Sequence, residues 1–241
     1  MEYNSETAFS RTSMLLGEHA EAVLAEKHVT VLGVGEVGGH CAEALARCGI
    51  GHMFIVDADT VSVNNLNSQI VSQEGVIVHD KAEEMANRIR EVSNCDVHYA
   101  QIFLTPELLL SIIPQDTDFI VDAVDNVSVK IAAVQYANLR HKNIISSIGM
   151  GNRLDPTQVR LGDLFSVTGC PFARNMQREL RRRDIHELPV AYSTEIPKKS
   201  LTKIRSDNRM QTPGSVPFVP SAGGIAMAYH VIIKLLEHSM N

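Results

Sequence analysis

Residues 28–59 read HVTVLGVGEVGGHCAEALARCGIGHMFIVDAD. HVTVLGVG is apolar and β-branched and runs into glycines, which is the signature of a buried strand ending in a turn. EVGGHCAEALARCGIG is rich in alanine and stops at Gly49 and Gly51, as a helix does. HMFIVDAD is a second strand. Strand, glycine turn, helix and strand in so short a stretch make a βαβ unit, which builds parallel sheet.

The alternation continues on both sides. Upstream, residues 13–27 carry apolar residues at helical spacing, with Gly17 as a weak point. Downstream come a polar loop, the helix KAEEMANRIREVSN, a strand near CDVHYAQIF and a helix TPELLLSII stopped by Pro114. Then follow the apolar strand DFIVDAVDN, the helix SVKIAAVQYANLRHK and the strand NIISSIGM. This order predicts an α/β, Rossmann-like fold, a mostly parallel sheet with helices on both faces. A core over residues 8–150 and a C-terminal extension over 151–241 form one domain spanning the chain. In the extension the spacing predicts a strand and turn in DPTQVRLGDLF and a helix in CPFARNMQRELRRRD, with Pro171 in its first turn. A long basic loop over 193–217 and a final helix, SAGGIAMAYHVIIKLLEHS, complete it.

Composition narrows the function. Trp is absent and aromatics are 5%, which excludes a stacking platform for single-stranded nucleic acid. The net charge of −6 hides an asymmetry. Residues 174–209 hold ten Lys and Arg against five Asp and Glu, so this segment is a candidate footprint for a polyanion on an acidic body. Four cysteines (Cys41, Cys48, Cys95, Cys170) form no C-x-x-C, so a structural zinc site is not expected. The polar, acidic start is not a signal peptide, and no run of 18 apolar residues predicts a spanning helix. A reduced, cytoplasmic protein with no membrane partner is the expectation.

Gly33-Val34-Gly35-Glu36-Val37-Gly38 fits G-x-G-x-x-G, directly after a strand and before a helix. In that setting Gly33, Gly35 and Gly38 let backbone N–H groups and the helix N-terminus approach phosphates. Asp57 ends the next strand 24 residues after Gly33, near the ~20-residue spacing of an acid that binds ribose hydroxyls. Up to here an NAD-dependent dehydrogenase and an ATP enzyme fit equally. The loop that follows favours ATP. It clusters the amides Asn64, Asn65, Asn67 and Gln69, Lys81 opens the next helix, and Asp125-Asn126 end the strand of Asp122. A lysine and a carboxylate at the carboxyl ends of strands suit phosphates with Mg²⁺. Taken singly, Lys81 is equally an exposed helix lysine and Asp125 equally a helix cap.

F-S-R-T, G-V-G-E-V-G, D-A-D-T-V-x-x-N-N-L-N-x-Q, D-K-A-E and D-A-V-D-N together resemble the ubiquitin-activating-like adenylyltransferases, the group of the molybdopterin- and thiamine-pathway enzymes. D-A-V-D-N-V-S-V-K with Lys130, D-P-T-Q at 155–158, C-P-F-A-R-N-M-Q-R-E-L-R-R-R and Y-S-T-E resemble, within it, the tRNA threonylcarbamoyladenosine dehydratases. The resemblance implies ATP and Mg²⁺ as cofactors, with Asp57 on the ribose, Asn65 and Lys81 on phosphates, and Asp125 as metal ligand and main catalytic acid. It implies that Arg11 reaches the phosphates of a neighbouring subunit in a homodimer, and it leaves room for a sulfur-transfer or redox partner protein. The implied reaction adenylates a tRNA-borne threonylcarbamoyl carboxylate, which then cyclises with loss of AMP.

Two positions depart from the family pattern: Glu36 stands where glycine is usual, and Ser68 where arginine is usual. An added acid and a lost arginine both oppose phosphate, together by tenfold to several hundredfold at ~1–3 kcal/mol each. The alternative reading is therefore a diverged paralogue that keeps the fold and binds another ligand or partner. An NAD-binding oxidoreductase stands third, because no hydride-transfer group is evident. In the helix near 172–183, Arg174, Arg178, Arg181 and Arg182 recur on one face, a stripe suited to a tRNA backbone. Cys170, in C-P-F at that helix start, reads as structural.

Overall fold

The computed structural model of the chain describes residues 8–199, 201 and 213–237. Seven strands form one sheet: β1 (His28–Leu32), β2 (His52–Val56), β3 (Asp96–Ala100), β4 (Phe119–Asp122), β5 (Asn143–Ile148), β6 (Val159–Asp163) and β7 (Pro189–Ser193). Their order is β3-β2-β1-β4-β5-β7-β6. All neighbours run parallel except β6, which pairs antiparallel to β7. The chain winds outward from β1 to β3 and then returns to place β4 against the other side of β1. That reversal makes the crevice beyond the carboxyl ends of β1 and β4 the topological switch point, where open α/β sheets bind ligands.

Among the described residues eight α-helices cover the sheet: α1 (Ser10–Leu16), α2 (Glu18–Ala25), α3 (Gly38–Arg47), α4 (Lys81–Val92), α5 (Pro106–Ile112), α6 (Val127–Arg140), α7 (Pro171–Arg181) and α8 (Phe218–Glu237). Alternate strand residues feed two separate cores, because successive side chains of a strand point to opposite faces. Val29, Val31, Met53, Ile55, Phe119 and Val121 pack with Leu24, Leu45, Met85, Ile89, Met227 and Val231 of α2, α3, α4 and α8. Leu32, Val56 and Ile120 pack with Leu109, Val134, Met176 and Leu180 of α5, α6 and α7. The mostly parallel sheet with helices on both faces matches the expectation.

The structure differs from the sequence reading in three places. The expected helix over 13–27 is broken at Gly17, whose φ of 90° and ψ of 152° separate α1 from α2. A positive φ with extended ψ is a conformation that glycine alone adopts readily. β7 is a strand where no strand is legible, since Pro189 opens it and only five residues carry it. Its Ser193 lies inside the stretch read as a loop, and Lys203, Arg205 and Arg209 of that stretch lie outside the described residues. Third, α8 starts earlier than the periodicity suggests, at Phe218. By length and mean hydropathy (1.4) alone this helix is long and apolar enough to cross a membrane, although 56% of that window is buried inside the protein. Here it packs on α3 and the sheet, burying Val219, Met227, Val231 and Leu235.

Candidate functional site

The turn after β1 requires its glycines. Gly33 has φ of 84°, and a Cβ there would stand 3.0 Å from the carbonyl oxygen of Ala123, in the turn after β4. A Cβ on Gly38 would strike the carbonyl oxygen of Gly33 at 1.8 Å. These two glycines close the turn and bring the β1 and β4 loops into contact. Gly35 differs: its added Cβ would meet only Gln69 Nε2, at 3.8 Å, so its outer side is open for an anion to approach the backbone. Gln69 Oε1 beside it is buried without a hydrogen-bond partner among the described residues. An open amide turn beside an unsatisfied buried acceptor fits a polar ligand with both donors and anionic oxygens.

Asp57 braces this turn. Its Oδ2 accepts from the backbone N–H of Val34 (2.8 Å) and its Oδ1 from that of Asp59 (2.9 Å). Burial raises its pKa, opposed by these two N–H groups and by Lys81. Lys81 is buried at the first residue of α4, where a cation opposes the helix dipole. Asp59 offsets that cost by accepting from its Nζ at 3.0 Å. Lys81 is therefore no exposed surface lysine, and Asp59 is its partner. Asn65 Oδ1 accepts from the backbone N–H and the hydroxyl of Ser62, which leaves its Nδ2 as the end able to meet phosphate.

Asp125 sits at the switch point, exposed to solvent at its tip but crowded by protein. Partial burial raises its pKa, Lys130 opposes the shift, and Glu36, Asp122 and Asp59 reinforce it. Asp125 is not the cap of α6: Asn126 is, accepting from Ser128 N (2.9 Å) and Val129 N (3.2 Å). Behind it, buried Lys130 donates to Asp122 Oδ2 at 3.1 Å, and Ser146 Oγ to the same oxygen at 2.6 Å. Gly33, Gly35, Gly38, Asp57, Lys81 and Asp125 thus share one electrostatic neighbourhood. Arg11 is exposed on α1 and makes no hydrogen bond to these groups among the described residues.

The two departures from the family pattern meet each other. Ser68 Oγ donates to Glu36 Oε1 at 2.7 Å, and Ser215 Oγ donates to Glu36 Oε2. Both carboxylate oxygens of Glu36 are thus engaged by hydroxyls, and its charge also acts on Asp125. Nothing in sequence announces this arrangement, because Ser215 lies 179 positions from Glu36.

On α7, Arg174, Arg178, Arg181 and Arg182 are all exposed, while Ala173, Met176, Gln177 and Leu180 face the core. Arg178, Arg182 and Arg183 converge on Glu179, and the Arg181 guanidinium lies 5.0 Å from the Phe165 ring centroid. The four cysteines are unpaired by disulfides. Burial pushes the thiols of Cys41 and Cys95 up, Cys95 to about 12, so neither is a nucleophile at neutral pH.

A glycine turn, a braced ribose-type acid, a buried lysine and a carboxylate at one switch point define a nucleotide-binding α/β protein of the adenylate-forming kind. The chain belongs to the ThiF family, whose model matches residues 9–240. It is 32% identical to the tRNA threonylcarbamoyladenosine dehydratase of Bacillus subtilis (strain 168), over 95% of this chain and 94% of that one. It is 35% identical to the Escherichia coli (strain K12) dehydratase of the same name, over 72% of this chain and 65% of that one. The crystal structure of E. coli TcdA in complex with AMP superposes with a TM-score of 0.86 and 28% identity, covering 97% of this chain and 95% of that one. The same enzyme in complex with ATP gives 0.85. The resemblance read from the motifs is borne out.

Proposed function

We propose that the chain is an ATP-dependent tRNA threonylcarbamoyladenosine dehydratase acting in the cytoplasm. The observation that supports this is that Lys81 and Asp125 both interact with Asp59, whose backbone N–H bonds the Asp57 that braces the glycine turn, while Glu36 is engaged by Ser68 and Ser215. The substrate carboxylate attacks the α-phosphorus of ATP, and the bond to pyrophosphate breaks. A nitrogen of the same side chain then attacks the activated acyl carbon, loses its proton and expels AMP, so the nucleoside loses one water. The amides of residues 33–38 hold phosphate oxygens, Asp57 holds the ribose, and Asn65 Nδ2 and Lys81 Nζ offset phosphate charge. Asp125 would hold Mg²⁺, which when bound supplies positive charge to the departing pyrophosphate. Ring closure is intramolecular, so orientation supplies much of the second step and no protein nucleophile is required. Incubation with threonylcarbamoyl-modified tRNA, ATP and Mg²⁺ tests the reading: mass analysis of nucleosides should show loss of water. Binding of NAD without ATP would overturn it.

The exposed face of α7 is the proposed tRNA contact. Replacing Arg178, Arg181 and Arg182 by glutamine is expected to weaken tRNA binding and to flatten the slope of log affinity against log salt by about 2–3. Unchanged affinity and slope in filter binding would remove the assignment. A homodimer is proposed on two grounds. Arg11 is exposed, as a residue serving a neighbour's site must be, and Phe218, Ile225 and Tyr229 of α8 expose apolar side chains at helical spacing. Arg11→Ala is expected to weaken ATP about tenfold, the worth of one charge-assisted contact, without changing the Asp57-braced turn. Isothermal titration decides this.

A further inference from the structure

We propose that Glu36 is a positioning residue that clasps the strap at residues 213–217 to the phosphate turn and releases it when a nucleoside triphosphate enters. The inference rests on the nucleotide reading and goes beyond it.

The strap is tied to the site at three points. Ser215 donates its hydroxyl to Glu36, Asn67 Nδ2 donates to the Ser215 carbonyl at 3.0 Å, and Gly214 N donates to Asn152 Oδ1 at 2.7 Å. Asn152 N returns a bond to the Gly214 carbonyl at 2.8 Å. The strap is packed as well as bonded: a Cβ on Gly151 would come within 3.0 Å of Pro213. It leads straight into α8, where Ser221 Oγ lies 3.0 Å from His40 Nε2 of α3, the helix that begins at the phosphate turn.

Among the described residues only the Glu36 tie carries a charge, and that charge has two hydroxyl partners and no hydrogen-bonded cation there. Five carboxylates surround the switch point (Glu36, Asp57, Asp59, Asp122 and Asp125), and the ammonium groups of Lys81 and Lys130 are already engaged by Asp59 and Asp122. A triphosphate on the amides of residues 33–38 brings further negative charge against Glu36. Hydroxyl bonds to a carboxylate are of the size that such repulsion overcomes. An arginine at position 68, the usual family residue, would pin Glu36 with a full ion pair. Ser68 holds it with a contact that yields. The two departures form one device: Glu36 supplies the sensing charge, and Ser68 keeps the clasp weak enough to open.

Hydrogen–deuterium exchange of the Gly214 amide, which is hydrogen-bonded to Asn152 Oδ1, reads the clasp in the full chain, with ATP affinity measured in parallel by calorimetry. In the wild type, ATP with Mg²⁺ is expected to speed exchange about tenfold. Glu36→Gln can keep both serine contacts without the charge, so its strap should exchange slowly with or without nucleotide. Its ATP affinity should rise about tenfold with the repulsion gone. Ser215→Ala should exchange fast in both states. Wild-type exchange that is unchanged while calorimetry shows ATP bound, or a Glu36→Gln strap that responds as the wild type does, overturns the proposal and leaves the nucleotide reading intact. Absence of ATP binding overturns that reading and the trigger together. Glu36→Ala without nucleotide then still decides whether Glu36 holds the strap at all: unchanged exchange means that it does not.

Discussion

Asp125→Asn is expected to lower kcat for tRNA dehydration about a thousandfold, corresponding to about 4 kcal/mol of lost transition-state stabilisation. Asparagine keeps the shape but cannot hold a cation with the strength of a carboxylate, and adenylation is the step that needs that cation. The fold should not suffer. Burial and the neighbouring acids raise the pKa of Asp125 in the folded chain. A group with a raised folded pKa contributes stability below its unfolded pKa and loses it as pH rises through the folded value. At pH 7 the ionised Asp125 is thus a liability to the fold, and Asn removes it. The melting temperature of the variant should equal or exceed that of the wild type at pH 7, and the gap should shrink as pH falls. The same shift means that, before a cation binds, the carboxylate is lost at higher pH than for an ordinary aspartate. A variant that melts far below the wild type, or that turns over normally with Mg²⁺, would show that Asp125 is structural.

What was legible in the sequence follows what is local. The glycine turn, Asp57 and the Asp125 turn each sit at a strand end, so the period of a single βαβ unit placed them. Parallel order came from the alternation of strands and helices, and two apolar faces per strand required helices on both sides. Lys81 could be named but not read as buried, since its partner Asp59 lies 22 positions away, in the preceding loop. β7 was hidden because strand identity in so short a run depends on its neighbours: it exists by inserting between β5 and β6. Glu36 and Ser68 were legible only as departures, each unfavourable taken alone. Their pairing, and the strap that Glu36 shares, depend on side-chain orientation and on α8 folding back across α3, which no local pattern encodes. Those long-range contacts give an acid that looks like a defect in the phosphate turn two hydroxyl partners.

Lys130→Met should be the most damaging single change to stability, costing about 3–5 kcal/mol in urea unfolding and about 10 °C in melting temperature. Lys130 and Asp122 are 1% and 0% exposed, so removing the ammonium strands a carboxylate in the core with Ser146 Oγ as its principal remaining side-chain donor. Water cannot reach to compensate. If the cost comes from the stranded charge, Asp122→Asn in the same chain should recover about half of it or more, because a neutral amide needs no counter-ion. A double variant no more stable than Lys130→Met would assign the loss to packing instead. The two measurements together also separate stability from function. Asp122 Oδ1 accepts from Val124 N at 3.3 Å and Asn126 caps α6, so the turn bearing Asp125 is pinned at both ends. Lys130 is also the neighbouring cation that opposes the upward shift of the Asp125 pKa. The double variant should therefore regain stability without regaining full activity, and because Lys130 acts on Asp125 more strongly than Asp122 does, its acid limb should still move to higher pH than that of the wild type, by less than in Lys130→Met. Activity that recovers in step with stability would mean that Lys130 serves the core alone and has no hold on the ionisation of Asp125.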